Sequence, residues 1–90
     1  MLVITRKEQE IAYIINIDHP EQQPLCLRVN EIRGDRIRLA IDAGEQYQVY
    51  REELLENEHP EIYRKIRQGE QLTAEDCALL KRNHSRLDTK

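Results

Sequence analysis

The 90-residue chain contains no tryptophan, no phenylalanine and only four tyrosines. Its core must therefore be aliphatic, built from Leu, Ile and Val. No apolar run approaches the ~18–20 residues of a membrane span. The opening Met1-Leu2-Val3-Ile4-Thr5-Arg6 has no basic start ahead of a long apolar stretch, and no small-residue cleavage site follows it, so a secretory signal is not expected. Cysteine is scarce: Cys26 and Cys77 stand far apart, which predicts a reducing, cytoplasmic setting without a disulfide framework.

Other absences exclude chemistry. Three isolated glycines cannot build a phosphate-cradling loop. The single serine, Ser85, leaves no serine triad to assemble. His19, His59 and His84 are scattered, with no Cys-x-x-Cys or His-x-x-x-His spacing; no metal centre is expected, and these read as surface imidazoles. No cofactor is implied, and an enzyme is not the expected class. Positive charge is not in excess either. The net charge is -3, which argues against nucleic-acid binding through bulk field. Any such site must be a local cluster.

What is present is short-period alternation followed by helix signals. Leu2–Arg6 is a short β-branched strand. In residues 11–17, Ile11, Tyr13, Ile15 and Ile17 share one face, and Ala12, Ile14 and Asn16 the other. Residues 18–24 form a loop carrying Pro20 and Pro24, which cannot donate to a sheet ladder. A third strand is expected over 25–32, with Cys26 as a small apolar filler between Leu25 and Leu27. Arg33-Gly34-Asp35 is a tight turn, with Gly34 supplying positive φ. In residues 36–42, Ile37, Leu39 and Ile41 point one way and Arg36, Arg38 and Ala40 the other. A turn at 43–45 leads to a fifth strand over 46–51.

The remainder reads as helix. Glu52 and Glu53 are acids placed to favour a helix N-terminus. Pro60 ends or restarts the helix, and Ile62 and Ile66 lie at i, i+4 before a stop at Gly69. Thr73-Ala74-Glu75-Asp76 is a near match to a capping box. A helix from Ala74 to about Arg86 would set Ala78, Leu79, Leu80 and Leu87 on one side, and residues 84–90 would fray. The class is mainly β with C-terminal α: five short antiparallel strands followed by helices. So small a chain hides only roughly 60–65% of its unfolded surface, and five short strands leave open edges. A strand-exchanged dimer would cure both faults.

Two sets of arginines can be read either way. Arg6-Lys7 ends the first strand and Arg51 ends the last. A guanidinium there can grip phosphate or a base edge, but charged residues also end strands simply to reach water, which spacing alone favours. Arg36 and Arg38 form a basic stripe that equally suits a solvated sheet face.

Three segments together carry a resemblance. Met1-Leu2-Val3-Ile4-Thr5-Arg6-Lys7, the stretch from Gly34 to Ala43 (Gly-Asp-Arg-Ile-Arg-Leu-Ala-Ile-Asp-Ala), and Val49-Tyr50-Arg51-Glu52-Glu53-Leu54 resemble, in order and spacing, the carbon storage regulator (CsrA/RsmA) family of bacterial translational regulators. The resemblance covers about residues 1–56. It implies an intertwined, strand-exchanged homodimer in which the first strand of one chain lies beside the last of the other. It also implies binding of messenger RNA at Gly-Gly-Ala sites near the ribosome-binding site, control of translation and mRNA stability, and titration by small regulatory RNA. The residues it would assign to RNA are Ile4, Thr5, Arg6, Lys7, Arg38, Val49, Tyr50 and Arg51. Arg51 would be the anchor, with Ile4, Val49 and Tyr50 as support. Single-stranded loops suit such a site because their splayed bases offer free edges.

The chain departs from the family pattern in places. Gln9-Glu10 stands where Gly-Glu is usual, Asp42-Ala43-Gly44-Glu45 replaces an Asn-Ala-Pro turn, and Tyr50 stands where a His is usual. Residues 57–90 form a helical extension without counterpart in short members, and a protein antagonist docking outside the RNA site is conceivable. The rival expectation is a divergent paralogue with weak RNA binding that acts through protein contacts or heterodimerisation.

Overall fold

The computed structural model describes residues 2–82. Its elements run β1 (Leu2–Arg6), β2 (Ile11–Asn16), β3 (Leu25–Arg28), β4 (Ile37–Ile41), β5 (Tyr47–Arg51), α1 (Glu52–Glu58), α2 (Pro60–Gln68) and α3 (Ala74–Arg82). All strand pairings are antiparallel and lie within the one chain. β1 and β4 form a two-stranded ribbon, and β3, β2 and β5 form a sheet in that order. In the ribbon Leu2 faces Ile41, Thr5 faces Arg38 and Arg6 faces Ile37. In the sheet Ala12 faces Arg51 and Ile14 faces Val49.

Because successive side chains alternate across a strand, β2 feeds two cores. Its Ala12 packs with Ile4 and Val49, and Leu2, Ile14, Leu39 and Ile41 close around them. This core joins the ribbon to one face of the sheet. On the other face Ile11, Tyr13, Ile15 and Ile17 pack with Tyr50, Leu55, Ile62, Leu72, Cys77 and Leu80. The fold is therefore three layers: ribbon, sheet, helices. The expected alternation is present, but both faces of β2 are covered rather than one.

The β3 strand is shorter than expected, ending at Arg28 rather than near residue 32. Its partner β2 begins only at Ile11, and the turn before it meets Asn30 and Ile32 through the side chains of Gln9 and Glu8 rather than through a backbone ladder. That turn holds Gln9 at φ 71°, the left-handed region, at a position where glycine would be cheaper by about 1 kcal/mol. It is tethered by Gln9 N–H donating to the Val29 carbonyl at 2.6 Å and Gln9 Nε2 to the Asn30 carbonyl at 2.7 Å. Cys26 is exposed, so it is not the apolar filler its sequence position suggested. Leu25 and Leu27 are also exposed, at 60% and 37%.

Pro60 does restart the helix: it takes the first turn of α2, where its missing N–H costs nothing. Gly69 ends that helix at φ 78°, and the Glu70 N–H closes on the Lys65 carbonyl at 2.8 Å. The capping box forms as read: Asp76 N–H donates to Thr73 Oγ1 at 3.1 Å and Thr73 N–H to Asp76 Oδ2 at 3.0 Å. Lys65 Nζ adds a 2.7 Å bond to the same carboxylate and ties α3 to α2. On α3 the inward residues are Cys77 and Leu80, whereas Leu79 is 41% exposed and Ala78 faces solvent. The helix turns on the Cys77/Leu80 stripe, so the expected leucine-rich side is not the buried one. The expected roles of Leu87 and of residues 84–90 lie outside the described residues.

The helical layer is bonded to the sheet as well as packed on it. Tyr50 Oη donates to the Leu80 carbonyl at 3.2 Å. Within the helical layer, Tyr63 Oη of α2 donates to Glu52 Oε2 of α1 at 2.8 Å; burial and this carboxylate push its phenol up to about 12. Tyr63 also stacks edge-to-face on Tyr13, with centroids 6.4 Å apart.

Candidate nucleic-acid interface

Arg6 is the last residue of β1 and sits on the ribbon's inner face, where it is only 3% exposed. Its guanidinium is fully engaged. Nη1 donates to the Ile11 carbonyl at 2.8 Å and to Glu53 Oε1 at 3.1 Å. Nη2 donates to Glu53 Oε2, and Nε to the Thr5 carbonyl at 3.1 Å, with Glu10 Oε1 at 3.5 Å. Arg51 ends β5 directly across from Ala12, next to the carbonyl that Arg6 holds. Its Nε is buried without a hydrogen-bond partner among the described residues. Glu53 lies in the field of both cations. The hydrogen bond from Arg6, helped by the charges of Arg6 and Arg51, holds its carboxyl below the usual range despite partial burial. Arg6 thus grips this carboxylate directly, while Arg51, two residues before it in the chain, adds its charge from nearby.

The other expected residues fall into separate places. Thr5 and Arg38 face each other on the ribbon's outer surface, Thr5 half-buried and Arg38 exposed. Lys7 is exposed just past the ribbon's end. Ile4 and Val49, at 2% and 6% exposure, lie in the core between ribbon and sheet, beneath the arginine pair. Tyr50 is turned the other way, into the helix-side core at 1% exposure. Its ring is therefore not presented to solvent for stacking on a base. Glu53 and Glu10 complete the cluster, and neither belongs to the residues that the sequence assigns to RNA. The Arg-Glu-Glu run contains Glu53, yet in sequence it reads only as a helix-dipole acid.

Asp42 and Glu45 follow the far end of the ribbon. Ile41 pairs with Leu2, whereas Arg6 pairs with Ile37. Four residues of strand, about 13 Å of backbone, separate the ribbon end that leads to these acids from the end that carries Arg6, more than the ~8–10 Å screening length of ordinary salt. Their repulsion there is therefore weak.

A cavity of about 390 Å³ lies on the opposite side of the sheet, lined by Tyr13, Pro20, Cys26, Ile66, Arg67 and Leu72 among others. The nearby Cys77 thiol is pushed up by burial, which keeps it protonated and unreactive. Among the described residues no three His, Cys, Asp or Glu side chains group to hold a metal ion. None of the described helices is long and apolar enough to cross a membrane.

The described residues form a β-rich core with two arginines and two acids grouped at the strand ends. The comparison with protein families identifies the class: residues 1–59 match the model of the CsrA global regulator protein family, and the chain belongs to that family. It is a carbon storage regulator with a C-terminal extension, in which α2 and α3 follow the matched region. The family's members are RNA-binding post-transcriptional regulators, not enzymes. No curated protein and no solved structure matches the chain.

Proposed function

We propose that the chain regulates translation and mRNA stability in the cytoplasm by binding Gly-Gly-Ala sites near ribosome-binding sites. Its partners are messenger RNA and small regulatory RNAs that titrate it, with a protein antagonist as a further partner. Residues 1–56 form the RNA-binding domain and 57–90 a helical extension. The observation that carries the reading is the convergence of Arg6 and Arg51 within the family-matched region. A guanidinium fork matches phosphate and guanine edges in two-point geometry. Lys7 extends this contact at the ribbon's end, Thr5 and Arg38 add contacts on its outer face, Ile4 and Val49 support the arginines from beneath, and Tyr50 acts indirectly from the helix-side core.

The working form is a homodimer that exchanges strands. Supporting this, β3 and β4 each pair on one side only, and Leu25 and Leu27 stand exposed on β3. Irregular segments at 7–10 and 29–36 flank the ribbon and supply hinges for exchange.

The test is fluorescence anisotropy of the full chain with a Gly-Gly-Ala hairpin. Arg51→Ala should cost about 1–3 kcal/mol of binding, and an unchanged affinity rejects the site. A second reading is favoured by the engagement of Arg6 with Glu53: a paralogue with weak RNA affinity that acts through protein contacts. Copurification with protein alone, and no shift of the hairpin, would select it.

A further inference from the structure

The Arg6–Glu53 contact is lopsided. The Arg6 side chain is 4% exposed and that of Glu53 is 58% exposed. Arg6 is fixed from within by the carbonyls of Ile11 and Thr5. Glu53, in the first turn of α1, reaches in from the surface to occupy the outer edge of the fork with both oxygens. Carboxylate and phosphate satisfy that edge in the same two-point way. Glu53 can swing out to solvent without opening either core, whereas Arg6 cannot. The exchange also needs a replacement: once Glu53 leaves, the buried Arg6 keeps only the 3.5 Å contact to Glu10 as an ion pair, so an anion must enter as the carboxylate departs. Like any glutamate with an ordinary or lowered proton affinity, Glu53 is ionised at neutral pH, and its bond to Arg6 lowers that affinity further.

We infer that Glu53 is a specificity-setting competitor built into the RNA site, its carboxylate holding the Arg6 fork in the place a backbone phosphate takes, so that only RNA making enough further contacts displaces it. This rests on the reading of Arg6 and Arg51 as the RNA site. The consequence is discrimination: isolated phosphates and non-cognate strands meet a neutralised cluster, while a cognate loop that also engages Lys7 and Arg51 opens it. Such a device suits an acidic protein that must ignore bulk nucleic acid.

The experiment compares wild type, Glu53→Gln and Glu56→Gln, all full length, by anisotropy with a Gly-Gly-Ala hairpin and with a hairpin lacking that sequence, across salt. Glu56 is exposed on the same helix and is not among the groups that set the Glu53 carboxyl, so its variant controls for bulk charge. Glu53→Gln should bind about fivefold to tenfold tighter, gain most on the non-cognate hairpin, and steepen the salt slope by about 0.7, the value of one added single-strand phosphate contact. Glu56→Gln should match wild type. A Glu53→Gln affinity equal to or weaker than wild type, with an intact thermal transition, overturns the inference and leaves the RNA reading standing. So does an equal gain from Glu56→Gln. Binding by Glu53→Gln alone supports both. No binding by any variant overturns both.

Discussion

Arg6 and Glu53, 47 positions apart in the chain, meet in a two-point contact that closes the gap between ribbon and helix α1. The contact lies within the family-matched region and joins its first and last segments. It also makes Arg6 a structural residue as well as a candidate RNA ligand, and the two roles separate by measurement.

Arg6→Ala strips the Ile11 carbonyl of its donor and leaves Glu53 without its fork. Bonds to charged groups contribute about 1.5–3 kcal/mol each when lost from buried sites, so the variant should lose about 2–3 kcal/mol in urea denaturation. Arg38→Ala, on the exposed outer face, should stay within about 0.5 kcal/mol of wild type while weakening RNA binding across sequences. Equal stability losses from the two would contradict the placement of Arg6.

Tyr50 separates support from contact. Its hydroxyl serves the Leu80 carbonyl on the helix side. Tyr50→Phe should therefore cost about 1 kcal/mol of stability and leave hairpin affinity unchanged. A drop in affinity at unchanged stability would mean that the hydroxyl reaches RNA.

Much of this fold was legible because its signals are local. The alternation of Ile11, Tyr13 and Ile15, the left-handed stop at Gly69 and the Thr73/Asp76 box each depend on a few neighbouring residues. The end of β3 at Arg28 depends instead on where its partner strand begins. The exposure of Leu79 depends on which turn of α3 meets the sheet. At the site, the family-like segments mark Arg6 and Arg51 as candidates, but nothing in the sequence marks the contact of Glu53 with Arg6. An acid in the first turn of a helix has an ordinary local explanation, and only the approach of β1 gives it a second one.

Asp76 makes a pH prediction. Burial alone would raise its carboxyl, but the bonds from Lys65 and Thr73 outweigh that and hold it below the usual range. A carboxylate with a depressed folded pKa stabilises the fold above its unfolded value near 3.9, and that stabilisation is lost as pH falls through the folded value. Asp76→Asn should therefore cost about 2 kcal/mol at neutral pH and flatten the acid limb of stability below about pH 4. An unchanged acid limb in denaturation curves from pH 2 to 7 would contradict this.

Ending the chain after Asn57 tests whether the extension is an appendage. The cut removes Ile62, Leu72, Cys77 and Leu80, none more than 4% exposed, and uncovers Ile11, Tyr13, Ile15 and Tyr50 on the sheet. Burial of each large apolar side chain contributes about 1.5–3 kcal/mol, against a total of only about 5–15 kcal/mol for a small domain. The shortened chain should unfold or associate through the bared sheet face, seen as a lost thermal transition or a larger species in sedimentation. It should regain order only if a second copy covers that face. If instead it keeps the full chain's oligomeric state with an unshifted midpoint, the helical layer contributes nothing to the core, and the three-layer description fails with it.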